Sequence, residues 1–207
     1  DFSGCWKSGD TATFNATQGN FSIVKISTQS RKLNLQALIE GRYNDVTNLM
    51  VSDTTKVFLH SVISPYPVVD STVSVLNSDG KGVFNFSNAA NGVNYYIVVN
   101  HRNSMETWSA NSMSFTSDTL SYDFTTAANT AYGNNLFLKG TRWTIYSGDI
   151  NKDGFIDLTD LALCYNDAAF FVTGYALTDV NGDLISDLFD ILIVYGNSSK
   201  FIGVAKP

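Results

Sequence analysis

Between residues 32 and 146 the hydrophobic positions recur at every second residue. Leu33, Leu35, Ala37 and Ile39 define one face, Val57, Leu59 and Ile63 follow, and Val73 and Val75 come next. Phe84 and Phe86, then Val93, Tyr95, Ile97 and Val99, continue the alternation. Shorter runs carry Met105 to Trp108, Met113 to Phe115, Leu120/Tyr122/Phe124, Leu136/Leu138 and Trp143/Ile145. Side chains along a strand point to opposite faces in turn, so such runs bury one face and expose the other. About nine short strands with turn signals between them predict a mainly β domain, an antiparallel β-sandwich or barrel. The segment SDGKG at 78–82 reads as a hairpin turn, with glycine where positive φ is needed. The alternating aromatic residues read as core; a sugar-stacking patch is the other reading.

The pattern changes on both sides of this block. Residues 1–31 read as an arm: DFSGCWKSGD is irregular, and Ala12, Phe14 and Ala16, then Phe21 and Ile23, alternate with polar residues before Val24 and Ile26 switch parity. Beyond residue 147 the apolar spacing becomes helical. Leu158, Leu161, Ala162 and Tyr165 fall at i, i+3, i+4 and i+7, and Leu188, Ile191, Leu192 and Tyr195 repeat those offsets 30 residues on. Each stripe predicts a short amphipathic helix, and the two stripes are expected to pack on each other as a small shared core. The domains expected are therefore an arm at 1–31, a β-sandwich at 32–146 and a two-helix module at 147–207.

An acidic segment of fixed spacing precedes each helix: DINKDGFIDLTD at 149–160 and DVNGDLISDLFD at 179–190. Aspartates at relative positions 1, 5, 9 and 12, asparagine at 3 and glycine at 6 are the spacing by which a short loop wraps a calcium ion, with a backbone carbonyl supplied from position 7. In the first segment the set is Asp149, Asn151, Asp153, the Phe155 carbonyl, Asp157 and Asp160. Without a cation the four carboxylates of a loop repel one another, so metal binding and folding are expected to be one event.

The tandem of such loops, each with only an exiting helix, resembles a dockerin module over about residues 147–202, which implies two Ca²⁺ ions, the second on Asp179, Asn181, Asp183, the Ile185 carbonyl, Asp187 and Asp190, and a cohesin-like partner. Two departures stand out. The second loop has Leu184 where the first has Gly154, and Ser186 where the first has Ile156, so the second site is expected to be the weaker. The pairs before the twelfth loop residue, Leu158-Thr159 and Leu188-Phe189, are not the small polar pairs common in that family, which counts against a cellulosomal cohesin as partner. Upstream, Gly82-Val-Phe-Asn-Phe and Val93-Asn-Tyr-Tyr-Ile-Val-Val resemble the paired core strands of prealbumin-like sandwich modules of secreted bacterial proteins.

Composition narrows the function. Only Glu40 and Glu106 among the 19 acids are not aspartate, and nine of the aspartates lie between 149 and 190, so the net charge of −6 is largely the charge of the two loops. Basic residues are nowhere concentrated, which excludes nucleic acid as a partner. The chain is rich in Ser, Thr, Asn, Tyr and Phe, the profile of a secreted β protein, and no apolar run is long enough for a transmembrane segment. It begins at Asp1 without methionine, as a processed protein would. An extracellular or cell-surface location is expected. There Cys5 and Cys164 either pair, within or between chains, or remain separate thiols.

His60 and His101 lie on or beside predicted strands with no nucleophile motif near them, and the two glutamates are far apart, so the chain reads as a non-enzyme. Asp-Ser/Thr-apolar or Asp-Thr-Thr tripeptides mark Thr11, Thr54, Ser71 and Thr119 as O-glycan acceptors, and Asn15, Asn20, Asn85 and Asn197 carry the N-glycan sequon. The leading functional expectation is a calcium-stabilised structural subunit whose arm donates a strand to the next copy, giving a head-to-tail filament. The alternative is an anchoring or adhesion module binding a cohesin-like receptor or glycan; a fragment of a carbohydrate-active enzyme comes last.

Overall fold

The computed structural model describes residues 30–207. Residues 1–29, with Cys5, Thr11 and the arm's candidate strands, lie outside the described residues. The upstream elements are β1 (Arg31–Gln36), β2 (Tyr43–Asn44), β3 (Leu49–Met50), β4 (Asp53–Ser61), β5 (Val68–Leu76), β6 (Lys81–Phe86), β7 (Asn94–His101), β8 (Thr107–Trp108), β9 (Met113–Ser114), β10 (Thr119–Asp123), β11 (Phe137–Lys139) and β12 (Arg142–Thr144). The tail adds β13 (Phe155–Ile156), α1 (Leu158–Ala169), α2 (Leu188–Ser198) and β14 (Ile202–Gly203).

The chain is mainly β. One sheet has the order β10-β1-β6, and the other β5-β4-β7-β8, with β9 also on β7. The β5–β6 turn carries the chain from one sheet to the other, which is why consecutive strands here are not sheet neighbours. The sandwich is not purely antiparallel as expected: β1 pairs with β6 antiparallel and with β10 parallel. The inward residues Leu33, Leu35, Val57, Leu59, Phe84, Phe86, Tyr95, Ile97, Val99 and Phe115 form a common core.

Three expectations of phase are corrected. Val73 and Val75 face solvent, because β5 turns Asp70 and Leu76 inward after a register slip opposite Leu59/His60. Ile63 and Val93 lie outside the strands and are exposed. In the hairpin turn only Gly80 has positive φ (74°); Gly82 lies within β6, where a Cβ would sit 2.8 Å from the Val75 carbonyl oxygen.

The tail folds onto the sandwich. A second core joins Met105 to Ile150, Ile156, Cys164, Val180 and Val194, with Leu161 and Ile191 packed against it. Buried Glu40 accepts from Ser147 N at 3.0 Å and from Asn197 Nδ2 at 2.6 Å, while Asn197 also donates to the Ser147 carbonyl. That fixes the end of α2 to the start of the tail, and it corrects one glycan expectation: Asn197 is 1% exposed, so its sequon is closed to modification. β14 pairs with β13 and Val204 N donates to the Gly154 carbonyl, so the chain end closes over the first acidic loop.

The helices form where predicted, but only part of each predicted stripe is buried: Leu161 and Ile191 pack inward, and the rest faces out. Leu158 is 75% exposed, Leu188 63%, Tyr165 63% and Tyr195 58%. The contacts that bury the helices come from Leu161 and Cys164 on α1 and from Ile191 and Val194 on α2. Both helices are apolar on more than one side, so spacing alone took in Leu158, Tyr165, Leu188 and Tyr195 at the outer edge and left out Cys164 and Val194.

Candidate functional site: two acidic loops beneath a paired helix face

Each acidic loop ends as the cap of its helix. Asp157 is the N-cap of α1, accepting from Thr159 N, and Asp160 reaches back to Asp157 N at 3.0 Å. Asp187 and Asp190 do the same for α2. Loop positions 9 and 12 therefore form a capping box, satisfying backbone donors that the helix start leaves free and placing negative charge at its positive end. Asp160 Oδ1 also accepts from Ile150 N at 2.7 Å and Asn151 N at 3.1 Å; Asp190 Oδ1 accepts from Val180 N at 2.7 Å and Asn181 N at 2.9 Å. Within the first loop, Asn151 Oδ1 accepts from Asp153 N and Asn151 Nδ2 donates to Asp153 Oδ2; Asn181 and Asp183 repeat both contacts. Two segments 30 residues apart thus adopt one backbone course.

The first loop carries Asp149, Asn151, Asp153, Asp157 and Asp160, and the Phe155 side chain lies against Phe201. Asp149 is 1% exposed, and its Oδ1 has no hydrogen-bond partner. Burial pushes the Asp149 carboxyl up to about 6, with the Asp160 and Asp153 charges adding to the rise. A buried carboxylate oxygen with no donor is costly unless a cation meets it. The donors present, carboxylates, an amide oxygen and a carbonyl, are the hard oxygen set that suits Ca²⁺. Among the described residues no cluster of three or more His, Cys, Asp or Glu side chains is assembled to hold an ion, so the four carboxylates of this loop do not converge on one point as they stand.

The second loop differs in its surroundings. Asp179 Oδ1 accepts from Gly182 N at 2.8 Å, and Oδ2 is 3.1 Å from Arg102 Nη2. Arg102 leaves the sandwich just after β7. Its Nε donates to Asp53 Oδ2 at 3.2 Å, its Nη1 to the Ala176 carbonyl and its Nη2 to the Asp179 carbonyl, and its plane lies 4.0 Å from the centre of the Tyr175 ring. Arg42 joins from beside β2, with Nη2 2.9 Å from Asp53 and 4.0 Å from Asp179. His101 Nε2 lies 2.9 Å from Asp53 Oδ2, and the Tyr175 hydroxyl donates to Asp53 Oδ1 at 2.5 Å. Burial pushes the Asp53 carboxyl up, but the His101 and Tyr175 hydrogen bonds and the Arg42 charge outweigh it and hold Asp53 well below the usual carboxylate range. Burial holds His101 below its ordinary value.

Leu184 stands at φ 70°, where Gly154 in the first loop has φ 90°, so the leucine adopts the left-handed turn. Ser186 was expected to leave the second loop unanchored. Instead it is buried, with its hydroxyl 2.7 Å from Thr178 Oγ1, which in turn donates to Asp167 Oδ2. A hydrogen-bond chain replaces the apolar anchor of Ile156.

Among the described residues Cys164 has no disulfide partner, and burial chiefly pushes its thiol up to about 12; Cys5, its candidate partner, lies outside the described residues. Thr54, Ser71 and Thr119 are exposed on strands. The aspartates before them have structural partners: Asp53 in the arginine cluster, Asp70 accepting from Ser71 N and Asn88 N, and Asp118 paired with Arg31 at 2.8 Å. Sequence reasoning missed Arg42, Arg102 and Tyr175. Arg102 and Asp179 are 77 residues apart, and no local pattern links them.

Above the loops, α1 and α2 expose a continuous apolar surface. A shallow groove between them is lined by Leu158, Leu161, Ala162, Tyr165, Ile191 and Tyr195. Phe189, Leu192 and Leu188 extend the apolar surface on α2.

No family model matches the sequence, and no curated protein matches it. Among solved structures the chain is similar to a chain of a type II cohesin–X–dockerin complex from Acetivibrio cellulolyticus, a C-terminal interface mutant. Identity is 17% over 82% of this chain and 99% of that one, with a TM-score of 0.47. An N-terminal interface mutant of the same kind of complex gives 18% identity over 83% and 97%, with a TM-score of 0.43. These likenesses are distant, and the functional reading rests on the site's own geometry. No helix among the described residues is long and apolar enough to cross a membrane.

Proposed function

We propose that this chain is an extracellular, non-catalytic anchoring module of dockerin-like construction. Calcium bound at the first acidic loop fixes a pair of short helices, and their shared apolar face docks a cohesin-like receptor. The observation that carries this reading is the exposed face itself. Leu158 and Leu188, and Tyr165 and Tyr195, occupy equivalent positions on α1 and α2 and turn outward from a module with its own core beneath. Contiguous apolar surface of this kind, left open on a secreted fold, is a docking surface. The other support is Asp149, a buried carboxylate whose unpartnered oxygen is where a cation is needed. When bound, Ca²⁺ would add positive charge to a loop whose four aspartates face one lysine, Lys152. The chain's own residues do the rest: Asp157, Asp160, Asp187 and Asp190 start the helices, and the helices present the face.

The strand-donation reading rests on residues 1–29, and nothing among the described residues favours it. Anchoring is tested by binding the chain to a panel of soluble cohesin-type domains with Ca²⁺ and with EDTA. Binding that requires Ca²⁺ is expected, and it should fall at least tenfold in a Leu158→Asp, Leu188→Asp double variant whose melting temperature is unchanged. Binding that survives both EDTA and the double substitution would overturn the reading, as would absence of binding to every domain in the panel.

A further inference from the structure

The two loops share a backbone course but face different neighbours, and Arg102 makes the difference. In the first loop Asp149 Oδ1 has no partner, and the nearest cation, Lys152 Nζ at 3.7 Å from Oδ2, is committed to the carbonyls of His101 and Ser104. In the second loop both oxygens of the equivalent Asp179 are engaged, one by Gly182 N and one by Arg102. Arg102 is not a surface side chain that happens to reach in. It is 10% exposed, its Nε, Nη1 and Nη2 all donate, and its face is held on Tyr175. The space beside it is equally fixed: a Cβ added at Gly182 would lie 2.3 Å from Arg42 Nη1.

We propose that Arg102 is the resident cation of the second loop. A guanidinium from the sandwich satisfies Asp179 in place of a metal ion, so the chain holds one Ca²⁺, in the first loop, and uses the second as a fixed clamp between sandwich and helix pair. The inference rests on the calcium reading above. Its physics is like-charge exclusion: a divalent ion on Asp179 would share that carboxylate with a guanidinium in a poorly solvated site, with Arg42 a further positive charge 4.0 Å away. Arg102 does not withdraw cheaply, because doing so leaves the Ala176 carbonyl without its donor and takes one positive charge from the Asp53 carboxylate. Capping of α2 by Asp187 and Asp190 needs no metal, so the second helix keeps its start.

The test is calcium stoichiometry on the full chain, stripped with chelator and titrated with CaCl₂, read by calorimetry and native mass spectrometry. One ion per chain is expected. Asp149→Asn should abolish it, and Asp179→Asn should leave stoichiometry at one and affinity within about twofold. Arg102→Met should admit a second ion or tighten weak second-site binding at least tenfold. Two ions of comparable affinity in the unmodified chain would overturn the inference while leaving the calcium reading intact. So would loss of an ion in Asp179→Asn, or an Arg102→Met chain that still holds one. No ion bound at all would overturn the calcium reading and this inference with it. The unmodified chain and Asp179→Asn decide the matter even if Arg102→Met does not fold.

Discussion

Leu184 is the residue at which sequence and structure agree most closely on a cost. A leucine at φ 70° occupies a turn that the first loop gives to glycine, and the left-handed conformation costs a branched side chain about 1–2 kcal/mol. The Leu184 side chain is half-exposed, so little packing offsets that cost. Leu184→Gly is therefore expected to raise the unfolding free energy by about 1 kcal/mol, measured by denaturant titration; a loss of stability would mean the side chain contributes more than its exposure suggests. Gly182 is the converse. It has φ 85° and its Cβ position is filled by Arg42, so Gly182→Ala should destabilise by more than about 1 kcal/mol in the same titration.

At the scale of elements, the join between β4, β7 and the second loop is an ionic cluster around Asp53, and its protons set the acid limit of the fold. His101 is held below its ordinary value of 6.5, so below that pH the unfolded chain binds a proton that the folded chain resists. Asp53 is held below its ordinary value of 3.8, so below that pH the unfolded state again takes up the proton first. Both effects have the same sign: the stability that these two groups supply is full above pH 6.5, declines as pH falls below it, and declines again below 3.8, while Glu40, held above its ordinary value by burial, acts in the opposite sense. Denaturant titrations across pH 3 to 8 at saturating calcium should show both stages, and His101→Gln should remove the upper one; a flat profile from pH 7 to 5 would contradict the assignment. The strands around this cluster were legible in the sequence wherever one face is apolar, as at Leu33, Leu35, Ala37 and Ile39. β5 was legible as a strand but not in phase, because its inward face carries Asp70 and its outward face Val73 and Val75. The helices were legible as helices but only half legible in their buried face, since Leu161 turns inward with Cys164 while Leu158 and Tyr165 of the same apolar stripe turn outward.

For the whole molecule, the tail is both a folding unit and a presentation device. Its loops were the most legible part of the chain, because liganding fixes residue types at fixed spacing. What surrounds them was not, because Arg102, Asp53 and Tyr175 meet only after the sandwich and tail have folded together. The account joins metal, helices and docking face in one claim: calcium in the first loop holds the helix pair in shape. Thermal unfolding of the full chain in EDTA, in Ca²⁺ and in Mg²⁺ tests that claim most directly. Calcium at 100 times its Kd adds about 2.7 kcal/mol to the folded state, which for a chain of this size is about 5–11 °C in Tm. The result expected is a transition lowered by that amount in EDTA, restored by Ca²⁺ and not by equimolar Mg²⁺; superimposable melting curves in chelator and calcium would contradict it.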